Sequence, residues 1–381
     1  MNRWLNFRLR QIRIWRPVLK LMFVCGVAFA SQAASPFLAG ADMSDLAYLE
    51  SKGLVYKDNG QTGDALQILK DHGINCIRLR LFTSSAAQAA ADPINYVNNL
   101  DYTVPLARRV KNAGLKFMLD FHYSDTWADP RQQAIPSAWT NLDVPQLVRK
   151  MRSYNSNCIA AFQAAGAMPD YVQVGNEITY GMLWPMGRVP GTNATVQWSR
   201  LGQLMKAAIQ GIRDAAGRNM PKIIVHIDRG ADWATSKWFF DNLRRQHVPF
   251  DIIGESYYEE YAGPWQNVPN CLTNAAQRYG KPVMIVETDF PFMASKDVNG
   301  IPATPAGQVR YVETLAQIVK SVPNGLGTGL FWWGTEFRYP SENLGGYGTR
   351  SFFDPDGNLL PVAGALGRNA PTVGTPSEDN F

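Results

Sequence analysis

The chain has 381 residues, with 37 Lys plus Arg against 32 Asp plus Glu, four histidines and four cysteines. Six of the cations fall in the first twenty residues, where no acid stands, so the rest carries 31 cations against 32 acids. A near-neutral body lacks the basic footprint of a nucleic-acid binder; Cys76, Cys158 and Cys271 match no zinc spacing, permit one disulfide at most, and read as buried apolar side chains.

In chain order, the basic region from Arg3 to Lys20 is followed by an apolar run, LMFVCGVAFA (21–30), and by the small residues SQAAS. This is the layout of a secretory signal peptide cut after Ala30 or Ala33, so residues 1–33 are expected to leave and the product to be secreted or periplasmic. The apolar run is too short for the ~20 residues of a spanning helix. No later segment is long and apolar enough, so no membrane association is expected once the leader is gone.

Short apolar runs then alternate with longer amphipathic segments. The predicted strands are FLAGADM (37–43), NCIRLRLF (75–82), KFMLDFHY (116–123), PDYVQVGNE (169–177), KIIVHID (222–228), DIIGESYY (251–258), KPVMIVETDF (281–290) and GTGLFWWG (327–334). Helical patterns such as LDYTVPLARRVKNAGL, QWSRLGQLMKAAIQGIRDAAG and AGQVRYVETLAQIVKSV lie between them, several with a Gly stop. Eight strand-then-helix units predict an α/β fold, a single-domain (β/α)8 TIM barrel over residues 34–368. A doubly wound open sheet is the alternative, but no glycine-rich nucleotide loop follows the first strand. NAPTVGTPSEDNF (369–381) reads as a disordered tail.

In such barrels the chemistry sits where strands end. Polar and aromatic side chains gather there: Asp42, Arg78, Arg80, His122, Asp125, Asn176, Glu177, His226, Asp228, Tyr257, Tyr258, Glu287, Asp289, Trp332 and Trp333. VQVGNE (172–177) and VMIVETDFP (283–291) end the fourth and seventh strands in Glu177 and Glu287, which face each other across the mouth. Two such carboxylates suit glycosidic bond cleavage, one protonated as acid and one ionised as nucleophile, ~5–5.5 Å apart in a retaining enzyme. Asn176 stands where it can hold a sugar 2-hydroxyl. A structural ion-pair network with Arg78 or Arg80 is the competing reading. An Arg beside Glu287 would keep that carboxylate ionised and leave Glu177 with the raised pKa.

Metal chemistry is poorly supported, because the four histidines form no H-x-H or H-E-x-x-H pair. No metal and no cofactor is therefore expected. There is no G-x-S-x-G elbow for a serine hydrolase, and FDPDGN (353–358) lacks the closing Glu of a calcium loop and reads as a turn. Trp127, Trp139, Trp184, Trp233, Trp265, Trp332 and Trp333 stand near strand ends. Flat rings there can stack on sugar faces, and about half of such large residues are expected to be core.

Several strings resemble one family, the endo-β-1,4-galactanases of glycoside hydrolase family 53: DFHYSDTWADP (120–130), GNEITYGMLWPMGR (175–188), IIVHIDRGADWATSKWFFDNL (223–243), YKDNG (56–60), GINCIRLRLF (73–82) and FDPDGN. The likeness runs from about Gly40 to Leu366. It implies a retaining endo-acting hydrolase of β-1,4-galactan or arabinogalactan, with a polysaccharide as its partner. Glu177 becomes the acid/base, Glu287 the nucleophile, and Asn176 and Arg78 their supports. Asp42, His122, His226, Asp228 and Tyr258 would line sugar subsites, and Trp333 would add a stacking ring.

Four segments depart from the family pattern: Phe82 where it has Trp, Phe290 where it has Tyr or Trp before Pro, Glu259 in place of a proline, and Gly334 and Phe337 in place of Glu and Trp. Fewer indoles imply weaker sugar stacking. Two other readings therefore stand beside the galactanase: an endo-β-glycanase acting on another polysaccharide, such as an exopolysaccharide, and a glycan-binding protein without turnover.

Overall fold

The computed structural model describes Met1 and residues 36–191, 194–338 and 347–371. The expected leader (1–33, Met1 apart) and residues 372–381 of the expected tail lie outside the described residues.

Each predicted strand segment holds one strand: β1 (Leu38–Asp42), β2 (Cys76–Leu81), β3 (Lys116–Phe121), β4 (Tyr171–Val174), β5 (Lys222–Ile227), β6 (Ile252–Ser256), β7 (Val283–Thr288) and β8 (Gly327–Trp332). Every strand pairs parallel with its neighbours in sequence, and β1 closes the ring against β8. The barrel predicted from strand–helix alternation is the fold. A main helix follows each strand: α1 (Ala65–Asp71), α2 (Leu100–Asn112), α3 (Val144–Ala164), α4 (Thr195–Ala216), α5 (Trp233–Arg245), α6 (Val268–Tyr279), α7 (Pro305–Lys320) and α8 (Val362–Gly367), with short helical turns at Leu46–Ser51, Ala86–Ala91 and Pro93–Tyr96 before α1 and α2. Local chemistry starts and stops them. The Asp143 carboxylate and the Gln146 amide form a reciprocal cap at the start of α3, and Gly280, in the left-handed region at φ 62°, ends α6.

Alternation along the strands sorts what enters the barrel. Leu38, Cys76, Met118, Ile224, Ile252, Met284, Val286 and Phe331 form one apolar cluster inside it. Gly40 is needed there because the Phe331 ring fills the space: a Cβ at residue 40 would lie 2.0 Å from that ring. Asp42, Arg78, Asp120 and His226 stand two residues beyond apolar or glycine positions of the same faces, toward the C-terminal ends, and all are buried. The floor of the barrel is thus dry, and the layer above it is a polar plug.

Strand β7 breaks the alternation. Glu255 pairs with Ile285, but the next residue, Ser256, pairs with Glu287, so the register shifts by one. Without that bulge Glu287 would point the opposite way from Val286, into the layer between strands and helices. With it, both side chains face the barrel axis.

Candidate active site

Arg78, buried at 1 % exposure, is the hub of the polar layer. Its Nε donates to Gln173 Oε1 at 2.7 Å, and Nη1 donates to Asp42 Oδ2 at 2.8 Å. Nη2 reaches Asp120 Oδ2 at 2.8 Å, Asn176 Oδ1 at 2.9 Å and Glu287 Oε2 at 2.9 Å. Three carboxylates around one guanidinium keep it charged, although burial works against that. Asp120 feels burial too, but Arg78 and then His122 outweigh it and bring its pKa down to about 2.

The two candidate carboxylates share this mouth in unlike settings. Glu287 takes the Arg78 contact on Oε2 and a hydrogen bond from the Tyr258 hydroxyl on Oε1 at 2.7 Å. Burial raises its pKa, Arg78 and Tyr258 pull it back, and the net is about 7. Glu177 lies across from it at φ 49°, a left-handed backbone that few side chains other than Asn and Asp adopt. Burial first, then the charges of Glu287 and Asp228, push its pKa well above the carboxylate range. The expected order therefore holds, although Glu287 itself is raised rather than held low.

A short relay holds Glu177. His226 Nδ1 accepts from the Glu177 backbone N–H at 3.4 Å, so its Nε2–H is the donor to Ser256 Oγ at 2.7 Å. That leaves the Ser256 hydroxyl hydrogen for the Glu177 carboxylate. Burial keeps His226 neutral, with its pKa well below the usual value. His122 is held in the same manner, Nδ1 accepting from the Ala128 N–H at 3.0 Å and Nε2 facing Asp120 at 3.1 Å. Asn176 gives its amide to Ala128 O at 2.7 Å while accepting from Arg78. Asp228 sits at the rim, taking the Thr179 hydroxyl at 2.5 Å.

The sequence-predicted residues thus converge on one mouth at two depths. Asp42 and His226 are at 1 % and 0 % exposure and act on Arg78 and Ser256 from below. Asp228, Tyr258 and Trp333 are only half-buried and reach open space. Asp120, Gln173 and Ser256 were missed. Each lies on a barrel-facing position, two residues from His122, from Tyr171 and from Gly254 respectively, so period two was the available clue.

Aromatic rings line one side. The Arg80 guanidinium lies 4.1 Å from the centre of the Trp127 ring, and Trp127 meets Trp333 edge-on at 6.1 Å. Tyr347 continues the row at 4.7 Å from Trp333. Of the other tryptophans, Trp139 and Trp332 are buried, and Trp233 and Trp265 pack on the core. Phe82, Phe290 and Phe337 are at 1 %, 1 % and 2 % exposure, so the expectation that these departures face the substrate is corrected. They back other rings: Phe82 abuts Trp127, Phe290 stacks on Tyr311 at 4.8 Å, and Phe337 abuts Trp333 at 5.4 Å. Glu336 does not restore the acid absent at Gly334, because it is fully buried and accepts from the Asp45 N–H.

Among the described residues no group of three or more His, Cys, Asp or Glu is arranged to hold a metal ion. FDPDGN is a turn, in which Asp354 Oδ1 accepts from the N–H groups of Asp356 and Asn358. A hollow of about 570 Å3 is lined by Lys111, Lys116, Asp170, Tyr171 and Lys222, from the N-terminal ends of β3 to β5, away from both carboxylates.

The chain is similar to known proteins. Residues 38–366 match the model of glycosyl hydrolase family 53. The chain is 39 % identical over 351 residues to an uncharacterized protein from the bgaB 5′ region of Niallia circulans, covering 87 % of this chain and 93 % of that one. It is 35 % identical over 336 residues to an arabinogalactan endo-β-1,4-galactanase of Humicola insolens, covering 84 % and 96 %. A solved structure of a fungal β-1,4-galactanase superposes with a TM-score of 0.78 at 33 % identity, covering 88 % of this chain and all of that one. With the barrel and the matching span in agreement, the chain belongs to glycosyl hydrolase family 53 and is a glycosidase.

Proposed function

We propose that this chain is an exported, retaining endo-β-1,4-galactanase acting on β-1,4-galactan or arabinogalactan. The observation that carries the reading is the asymmetry of the two glutamates. Glu287 meets a cation and a hydroxyl donor, whereas Glu177 has burial and like charges around it. In the first step a Glu287 oxygen bonds to the anomeric carbon as the glycosidic C–O bond breaks. Glu177 gives its proton to the departing oxygen. In the second step Glu177 takes a proton from water, the water oxygen bonds to the anomeric carbon, and Glu287 leaves as a carboxylate. Asn176 holds the 2-hydroxyl of the sugar under attack, and Trp333 offers its ring to the sugar face.

Galactan is favoured over another glycan because Phe82 and Phe337 stand behind the half-buried rings of Trp127 and Trp333 and Phe290 packs on buried Tyr311, so the surface a sugar meets is less altered than the sequence implies. The names of the relatives agree with this substrate. Export rests on the basic-then-apolar layout of residues 1–33. The test is reducing-end release from β-1,4-galactan and from a panel of other β-glycans by the wild type and by Glu287→Ala. Release from galactan that disappears in the variant is the expected result. Release only from another glycan would replace the substrate, and release that survives in the variant would overturn the nucleophile.

A further inference from the structure

Three loops leave the barrel on the Glu287 side, after β6, β7 and β8, and one side chain ties them together. Arg350 Nη1 pairs with Asp289 Oδ1 at 2.5 Å, two residues beyond Glu287, and Nη2 pairs with Glu260 Oε1 at 2.6 Å in the loop after β6. Arg350 is itself anchored from below, since the Trp332 indole N–H donates to its carbonyl at 2.8 Å. A second tie joins two of the same loops, Asn299 Nδ2 donating to Glu259 Oε1 at 2.9 Å. That Glu259 is the residue standing where the family pattern has a proline.

Around this knot stand three tyrosines, two of them exposed. Tyr258 donates to Glu287. Tyr261 follows Glu260 directly, its N–H folded back on Tyr258 O at 3.0 Å and its ring 6.4 Å from the Tyr258 ring. Tyr347 lies three residues before Arg350, whose N–H donates to Tyr347 O at 2.8 Å. Tyr261 is 80 % exposed and Tyr347 38 %. Large rings left in water beside a reaction centre cost burial energy and gain nothing for the fold. Flat apolar faces with a hydroxyl at the edge suit pyranose rings, which are apolar on one face and polar around the rim.

We propose that Arg350 is a positioning residue: it clamps the loops after β6, β7 and β8 so that Tyr261 and Tyr347 form a fixed wall for sugar rings beyond the bond being cut. The inference rests on the endo-galactanase reading of the site. Fixing the rings before the glycan arrives lowers the ordering cost of binding. The clamp therefore acts on substrate affinity, and the chemistry at Glu287 proceeds without it.

The experiment measures kcat, KM and thermal midpoint on β-1,4-galactan for the wild type, Glu260→Gln, Arg350→Lys and Tyr261→Ala, with galactan affinity measured separately by retardation in a galactan-containing gel. Glu260→Gln cuts one arm at an exposed residue and leaves the part-buried Arg350–Asp289 pair in place, so folding is expected to be preserved. Expected is a rise in KM of roughly fivefold in Glu260→Gln and Tyr261→Ala, with kcat near the wild type and the thermal midpoint unchanged. Arg350→Lys, which keeps one arm, should fall between them and the wild type. Wild-type KM and gel retardation in Tyr261→Ala would overturn the wall. Wild-type KM in both Glu260→Gln and Arg350→Lys, with a lowered thermal midpoint, would make the clamp a structural tie only and overturn its positioning function. A wild type that is retarded by galactan yet cleaves none would refute the galactanase reading alone, because retardation of Tyr261→Ala still decides the wall.

Discussion

Glu177 and Glu287 are the same side chain in two environments, and the difference between them is built from single contacts. Burial raises Glu287 to about 7, with Arg78 and Tyr258 pulling against it, while burial and the charges of Glu287 and Asp228 push Glu177 well above the carboxylate range. The pair titrates jointly. In the proposed mechanism the productive form has Glu287 ionised and Glu177 protonated, so kcat/KM should be bell-shaped, with its acid limb near pH 7 in the free enzyme and its alkaline limb above it. Tyr258→Phe removes the hydrogen bond that favours the ionised Glu287. Its acid limb should move to higher pH, and kcat should fall roughly tenfold, the cost of one hydrogen bond to a charged group. A pH–rate series on both proteins reads this; an acid limb that stays in place would show that Tyr258 does not tune Glu287.

At the scale of elements, register decides which residues meet. The bulge in β7 is the clearest case, since alternation carried straight through from Met284 and Val286 would bury Glu287 outside the barrel. The helix layer is equally exacting where two backbones touch. Helices α3 and α4 cross at Gly211, where a Cβ would lie 2.1 Å from the carbonyl oxygen of Arg152. Because the obstacle is backbone, no rotamer change relieves it. Gly211→Ala is expected to lose ~1–3 kcal/mol of stability despite the better helix propensity of alanine. Denaturant or thermal unfolding checks that loss, and kcat of the folded fraction should be unchanged, since the contact is on the outer face of the barrel layer.

For the molecule as a whole, the family match covers residues 38–366, which falls inside the proposed catalytic domain at 34–368. A chain from Ala34 to Pro371 should therefore keep the thermal midpoint and the galactan turnover of the longer form. A drop in either would mean that the proposed leader or tail belongs to the working fold. Among the described residues no helix is long and apolar enough to cross a membrane. Much of this scale was legible beforehand. Strand order, helix placement and the gathering of polar residues at one end follow from hydrophobic periodicity and from parallel strands that all finish on the same face. Glu177 and Glu287 could be proposed because they end strands four and seven, which meet across the mouth, and because the strings around them resemble the family. What the sequence could not determine is depth and facing. Phe82, Phe290 and Phe337 stand in motifs that line the cleft, yet their rings turn inward, because exposure depends on which neighbours fill the space above them. Asp42 and His226 likewise sit beneath the mouth rather than in it. The turn of Glu287 into the barrel and the meeting of Asp289, Glu260 and Arg350 across three loops were decided only by tertiary structure. A bulge and a long-range ion pair have no period in the chain; they exist only once the strands are paired and the loops are closed.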